Sequence, residues 1–282
     1  MNRKLLQTSF SLKWNPFSPD VPVEALWVPP PIALFCSRLE YQVREGGFAL
    51  VSGDPGSGKS VALRLLAHQL DGLGDVVVGV LSRPQSHVAD FYRELGHLFG
   101  VPLSPHNRWA GAKVLREKWH AHLEQTLFRP VLLVDEAQQM RPAVVAELRL
   151  LASTDFDSRS LLTVVLAGDR RLLAQLKSDE LMPLASRFRA RLVFDSLGSA
   201  ELLECLQHCL EQAGNPGLMT PQLMRMLCEH ALGNPRVLMN MAQDLLVAAL
   251  QRKIPQLDEK LYMELFAPSG KKQRQRAKAT RI

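Results

Sequence analysis

The chain has 282 residues, 46% of them hydrophobic and 22% charged, with a formal net charge of +6. That length holds one α/β domain and a smaller second one, and the apolar residues are too abundant and too periodic for a disordered chain. No apolar run approaches the roughly 20 residues of a membrane-spanning helix, and Met1 to Leu12 lacks the apolar stretch of a secretory signal, so the sequence predicts a cytoplasmic protein with no membrane insertion.

Residues 1–30 are rich in proline and aromatics (Trp14, Pro16, Phe17, Pro19, Pro22, Trp27) and read as an ordered arm lying against a domain surface. A helical pattern runs from Ile32 to Glu45, and Phe48-Ala49-Leu50-Val51-Ser52 then reads as a short buried strand. Next come Gly53-Asp54-Pro55-Gly56-Ser57-Gly58-Lys59-Ser60, which complete the G-x-x-x-x-G-K-[ST] phosphate loop, and a helix opening at Val61. Strand, loop and helix stand in the order the motif requires. The glycines let successive backbone N–H groups turn inward as an anion nest, and the helix start adds its positive dipole end. Gly53 through Val61 are therefore expected to cradle the phosphates of ATP. Lys59 supplies the charge for the β- and γ-phosphates, and the Ser60 hydroxyl is one ligand of Mg2+.

Further strands are predicted at Val76–Leu81, Val131–Val134, Leu162–Ala167 and Arg191–Phe194, with helices between them at His87–Phe99, Trp109–Leu127 and Ala143–Leu151. The alternation predicts a P-loop NTPase α/β fold, a parallel β-sheet flanked by helices, over residues 31–196. Val131-Leu132-Leu133-Val134-Asp135-Glu136 is a buried strand followed by two carboxylates where it leaves the sheet. Asp135 is expected to hold Mg2+ through water opposite Ser60, and Glu136 to polarise the water that attacks the γ-phosphate.

Beyond Asp195 the strands stop. Ser199–Ala213, Thr220–Leu232 and Pro235–Gln251 read as three helices of a small C-terminal lid subdomain over 197–252, followed by a segment 253–282 that ends in a tail. Lys271, Lys272, Arg274, Arg276, Lys278 and Arg281 make that tail basic with no acid among them, which suits the backbone of nucleic acid or simply a soluble end. Cys205, His208 and Cys209, with Cys228 and His230, are spaced so that zinc is conceivable. Cys205 and Cys209 are also in phase with Leu202 and Leu206, as small buried hydrophobes would be.

With these motifs the chain resembles AAA+ ATPases, in particular the ExeA/GspA-like group and the transposition helpers typified by MuB, TniB and TnsC. The resemblance runs from Asn15-Pro16-Phe17 through Asp135-Glu136-Ala137-Gln138 to Gly233-Asn234-Pro235-Arg236. It implies a sensor position at Asp169, where relatives commonly carry Gln or Asn, and where an N-cap for the following helix is an equal reading. It implies an arginine finger at Arg187, or else Arg189, and a phosphate-sensing Arg236. It also suggests that Ser82 holds Glu136 in an inactive pose, although a turn residue explains Ser82 equally well.

Three functions fit. The first is a Mg-dependent ATPase switch that forms an ATP-dependent homo-oligomer, ring or filament, on double-stranded DNA without sequence preference and recruits a transposase. Its DNA contacts would be the tail together with Arg83, Lys113, Arg116 and Lys118, whose charges read equally as a solvated face, and the basic end with no appended membrane or wall-binding segment argues for it. The second is a standalone secretion or envelope-assembly ATPase, and the third is a nucleotide-dependent interaction module that hydrolyses weakly.

Overall fold

Valine- and leucine-rich runs too short for helices become the strands of one sheet in the computed structural model, which describes residues 3–101, 108–126, 128–154 and 159–266. The chain divides into two units, Val28–Asp195 and a second that joins Met1–Trp27 to Ser196–Ile282. Numbered in chain order, α1 (Arg3–Phe10) precedes the α/β unit. That unit runs α2 (Pro30–Glu45), β1 (Gly47–Gly53), α3 (Lys59–Asp71), β2 (Val76–Leu81), α4 (Val88–Leu98), α5 (Arg108–Thr126) and β3 (Arg129–Val134). It continues α6 (Pro142–Ala152), a two-stranded hairpin of β4 (Ser153–Thr154) and β5 (Arg159–Ser160), β6 (Thr163–Gly168), α7 (Arg170–Gln175), α8 (Met182–Ala185) and β7 (Phe188–Phe194).

The sheet order is β2-β3-β6-β1-β7, and every pairing is parallel. Burial explains both the strands and their places. Val131 to Val134 and Val164 to Ala167 are all 0 or 1% exposed, because the central strands are covered on both faces and can be apolar throughout. Strand β7 lies at an edge and alternates instead, with Phe188, Ala190 and Leu192 buried and Arg189, Arg191 and Val193 exposed. Its arginines hid its first half from a search for apolar runs. The register aligns Ser52 with Gly168 and Val134 with Leu166, so β1, β3 and β6 all finish at one carboxyl edge.

On the sheet's faces, amphipathic helices supply the cover. In α4, Phe91, Tyr92 and Leu95 are buried, and Trp119 of α5 is fully buried with its ring 5.6 Å from that of Phe99. Pro30 opens α2 and Pro142 opens α6 at the first helical position, where a missing N–H costs nothing.

The second unit is helical: α9 (Ser199–Ala213), α10 (Pro221–His230), α11 (Pro235–Arg252) and α12 (Glu259–Phe266) join α1. Leu202, Leu206, Leu210 and Ala213 form the buried stripe of α9, and Thr220 and Asn234 cap α10 and α11 with side-chain oxygens. The start of the chain is part of this core. Leu6 and Phe10, one helical turn apart, are buried with Leu12 and Phe17 among the leucines of α9 to α11. Asn15 ties the segment down, accepting from the Phe17 backbone N–H at 3.1 Å and donating to Gln243 at 2.5 Å. The Leu6/Phe10 spacing is the signal that marks α1 as a packed helix.

Candidate functional site

Between β1 and α3 the chain turns tightly through residues 53–58, with Gly56 and Gly58 at φ 86° and 109°, conformations that a residue with a Cβ rarely adopts. A Cβ on Gly53 would sit 2.5 Å from the Phe194 Cβ and 2.7 Å from the Ser57 Oγ, so β7 closes directly beneath the loop. Lys59 is 5% exposed, and its Nζ donates to the carbonyls of Gly53 and Asp54 at 2.9 and 3.0 Å, which holds the ammonium across the loop mouth. The Ser57 hydroxyl is buried and has no hydrogen-bond partner among the described residues. Val61, in the first turn of α3, is partly exposed.

Two strands away, β3 delivers Asp135 and Glu136 to the same edge. Asp135 is fixed through both oxygens: Oδ2 accepts from the Ser60 hydroxyl at 2.6 Å and Oδ1 from the Glu136 backbone N–H at 2.8 Å. Glu136 has left-handed backbone geometry (φ 52°), a strained state of roughly 1–2 kcal/mol for a residue with a side chain. Its Oε2 accepts from the Gln138 amide at 2.6 Å. Ser82, which the resemblance suggests as a partner of Glu136, follows β2, and its backbone N–H donates to Glu94 at 2.6 Å.

Asp169 follows β6. It caps α7 by accepting from the Arg171 N–H, and its two oxygens face the Arg171 guanidinium at 2.7–3.2 Å. These hydrogen bonds hold the Asp169 carboxyl below the usual carboxylate range, with Lys59 adding a smaller pull in the same direction, and they raise Arg171 correspondingly. The capping geometry is thus the one of the two expectations for Asp169 that has visible bonds. Arg170 beside it donates to Asp54 of the phosphate loop at 2.9 Å. Sequence reasoning assigned no role to Gln138, Arg170, Arg171 or Phe194. Gln138 stands inside the Asp135-Glu136-Ala137-Gln138 stretch that carries the resemblance, Arg170 and Arg171 directly follow Asp169, and only the sheet order reveals Phe194.

The candidate arginines divide by location. Arg187 precedes β7, whose start pairs with the start of β1 at Phe48, so it lies at the amino edge of the sheet, opposite the phosphate loop. Seven residues of β1 separate those edges by roughly 20 Å. Its Nε donates to the Pro183 carbonyl, while Arg189 pairs with Glu45 at 2.9 Å. Arg236 lies in the first turn of α11 and is exposed. Of the possible DNA-contacting residues, Arg116 is half-buried and turned to Glu147, which also accepts from the Tyr92 hydroxyl at 2.6 Å; Lys113 is paired with Glu117 and Arg83 is exposed. The tail lies outside the described residues.

A nucleotide and Mg2+ suit this edge. The loop's unpartnered Ser57 hydroxyl, the buried Lys59 ammonium and the glycine geometry suit phosphate oxygens, and the Ser60 and Asp135 oxygens suit a hard cation. No group of three or more His, Cys, Asp or Glu side chains among the described residues could hold a metal, so an ion here would depend on phosphate and water for its other ligands. Cys205 and Cys228 are buried, and burial pushes the Cys228 thiol up to about 11.

Residues 43–176 match a family model described as an AAA domain. General secretion pathway protein A of Aeromonas hydrophila is 30% identical over 249 residues, covering 86% of this chain and 44% of that protein. This chain therefore spans less than half the length of that relative. Among solved structures, Cdc6p from Pyrobaculum aerophilum superposes with a TM-score of 0.68 at 16% identity, over 86% of this chain and 67% of the other. The Aeropyrum pernix ORC1 protein, solved in complex with DNA, gives 0.65 at 17% identity over 87% and 66%. The Thermotoga maritima RuvB Holliday junction branch migration motor gives 0.59 at 19% over 89% and 73%. Those identities speak for fold alone, and the chain has the P-loop NTPase fold with a helical C-terminal part. The AAA match and the secretion-protein identity together support an AAA+ ATPase related to that protein.

Proposed function

We propose that this chain is an ATP-hydrolysing switch that self-assembles when ATP is bound and works in a secretion or envelope-assembly machinery of the kind named for its Aeromonas relative. The observation that carries the ATPase part is the meeting of Lys59, Ser60, Asp135 and Glu136 at one carboxyl edge of the sheet. Identity to the secretion protein along 86% of this chain moves that reading ahead of transposition.

In this reading Gly53 to Val61 bind the phosphates through backbone N–H groups, and Lys59 turns from the Gly53 and Asp54 carbonyls to the β- and γ-phosphates. Ser60 and Asp135 would hold Mg2+, which would supply charge neutralisation for the transferring phosphoryl group. Glu136 takes the proton of the attacking water. Arg187, at the edge opposite its own loop, serves a neighbouring chain's nucleotide as an arginine finger, which makes assembly and hydrolysis interdependent. Arg236 has the nucleotide-sensing role: a cation in the first turn of α11 is favourable only with an anion near. Asp169 as a polar sensor is the weakest assignment, since its carboxylate is committed to Arg171.

A second reading, cytoplasmic assembly on double-stranded DNA with a transposase as partner, rests on the six basic residues after Gly270. Among the described residues no helix is long and apolar enough to cross a membrane, which suits either reading. Sedimentation with ATP, with and without duplex DNA, separates them. Assembly that needs ATP and ignores DNA supports the secretion-type switch. Assembly that needs DNA and weakens steeply with salt supports the second. No ATP-dependent assembly in either sample overturns both.

A further inference from the structure

Gln138 is a buried amide, 7% exposed, in the short 3-10 turn that follows Glu136. Each end of its side chain has a defined partner. Oε1 accepts from the Asp169 backbone N–H at 3.3 Å, and Nε2 donates to Glu136 Oε2 at 2.6 Å. The amide cannot be turned over: a backbone N–H needs an acceptor and a carboxylate needs a donor, so the two neighbours fix which end faces which. The backbone is held as well, because Gln175 of α7 donates to the Gln138 carbonyl at 3.0 Å. Gly168 completes the seat, since a Cβ there would lie 2.6 Å from Gln138 Oε1 and 2.7 Å from Leu172 Cδ2.

We infer that Gln138 is the positioning residue of the hydrolytic site: its amide sets the rotamer of Glu136 and ties that carboxylate to the end of β6. This inference rests on the assignment of Glu136 as the proton acceptor. A bond from a neutral amide to a carboxylate is charge-assisted, and a buried amide has few rotamers to lose in making it. One carboxylate oxygen is thereby held by Gln138, and the other is left for the water. Because the same amide accepts from Asp169, and Asp169 caps the helix that carries Arg170 and Arg171, the acid and the end of β6 move as one body. The charged groups around this link are Asp135, whose Oδ1 binds the Glu136 N–H, together with Asp169, Arg171 and Lys59.

The test compares wild type, Gln138→Met, which keeps shape without a donor, Gln138→Glu, Glu136→Gln and the double change Glu136→Gln/Gln138→Met. Nucleotide binding, thermal midpoint and steady-state hydrolysis are measured on each. Gln138→Met is expected to lower kcat roughly 10-fold to 100-fold, the usual loss when an orienting partner is removed, with nucleotide affinity unchanged. In the Glu136→Gln background the same change should cost nothing further. Gln138→Glu sets a second carboxylate against Glu136 where a donor stood, so its kcat should fall at least as far as that of Gln138→Met while nucleotide affinity is kept. A packing role alone would not divide kcat from affinity in this way. If Glu136→Gln is inactive while Gln138→Met or Gln138→Glu has wild-type kcat, the positioning role is wrong and the Glu136 assignment survives. If Glu136→Gln hydrolyses like wild type, the Glu136 assignment fails and the role of Gln138 fails with it.

Discussion

Ser60 and Asp135, 75 positions apart, are joined by a 2.6 Å hydrogen bond that brings the phosphate-loop helix and the acidic strand together at one point. Both atoms are oxygens that Mg2+ would accept as partners, directly or through water. Ser60→Ala should leave binding of metal-free nucleotide intact and raise the Mg2+ concentration needed for half-maximal hydrolysis by roughly 10-fold or more. Titration of Mg2+ against phosphate release checks this. An unchanged Mg2+ dependence would remove Ser60 from the metal site.

The loop's fit above β7 makes Gly53 a sensitive position. Gly53→Ala places a methyl 2.5 Å from the Phe194 Cβ, and both atoms belong to paired strand ends that cannot give way cheaply. The expected outcome is loss of nucleotide affinity together with a cost of about 1–3 kcal/mol in unfolding free energy. Calorimetric binding and urea unfolding of the same sample measure the two effects.

Asp169 joins a helix cap to an ion pair, and two substitutions separate these. Asp169→Asn keeps a capping oxygen and loses the charge, whereas Asp169→Ala loses both and should cost about 1 kcal/mol more for the cap. The sign of the pH effect follows from Arg171, which depresses the Asp169 pKa in the folded chain. A depressed carboxyl stabilises the fold above its unfolded value of about 3.9 and loses that contribution as the pH falls through the lower folded value. The stability gap between wild type and Asp169→Asn should therefore be present at neutral pH and shrink under strongly acidic conditions, as read by denaturant midpoints.

Phe10 is 3% exposed in the core of the helical unit. Phe10→Ala should destabilise that unit by about 3–5 kcal/mol, the range for a buried aromatic. Hydrogen exchange over α9 to α11 is the measurement. Protection equal to wild type would mean that α1 adds little to this core.

The sheet was legible in the sequence because its central strands are apolar without interruption, and so was the phosphate loop, whose glycines, Lys59 and Ser60 stand at fixed spacing. Other parts were hidden for physical reasons. The first half of β7 alternates with arginines as an edge strand does, and α1 is a short helix whose core residues Leu6 and Phe10 stand among polar residues and the exposed Leu5. The bonds from the Asp169 N–H to Gln138 and from Arg170 to Asp54 arise where separate strand ends meet, which no local pattern encodes. The resemblance pointed correctly to an AAA domain. It ranked transposition above secretion, and the 30% identity to General secretion pathway protein A supports the secretion-type reading at least as well.

The central claim is that the loop, Asp135 and Glu136 form one ATP-hydrolysing site. The measurement that tests it most directly is phosphate release at saturating Mg-ATP, with nucleotide binding measured in parallel, for wild type, Lys59→Ala and Glu136→Gln. Wild type is expected to bind and hydrolyse, Lys59→Ala to lose binding, and Glu136→Gln to bind while hydrolysing at least about 100-fold more slowly. Wild-type binding in Lys59→Ala, or equal hydrolysis by Glu136→Gln and wild type, would contradict it.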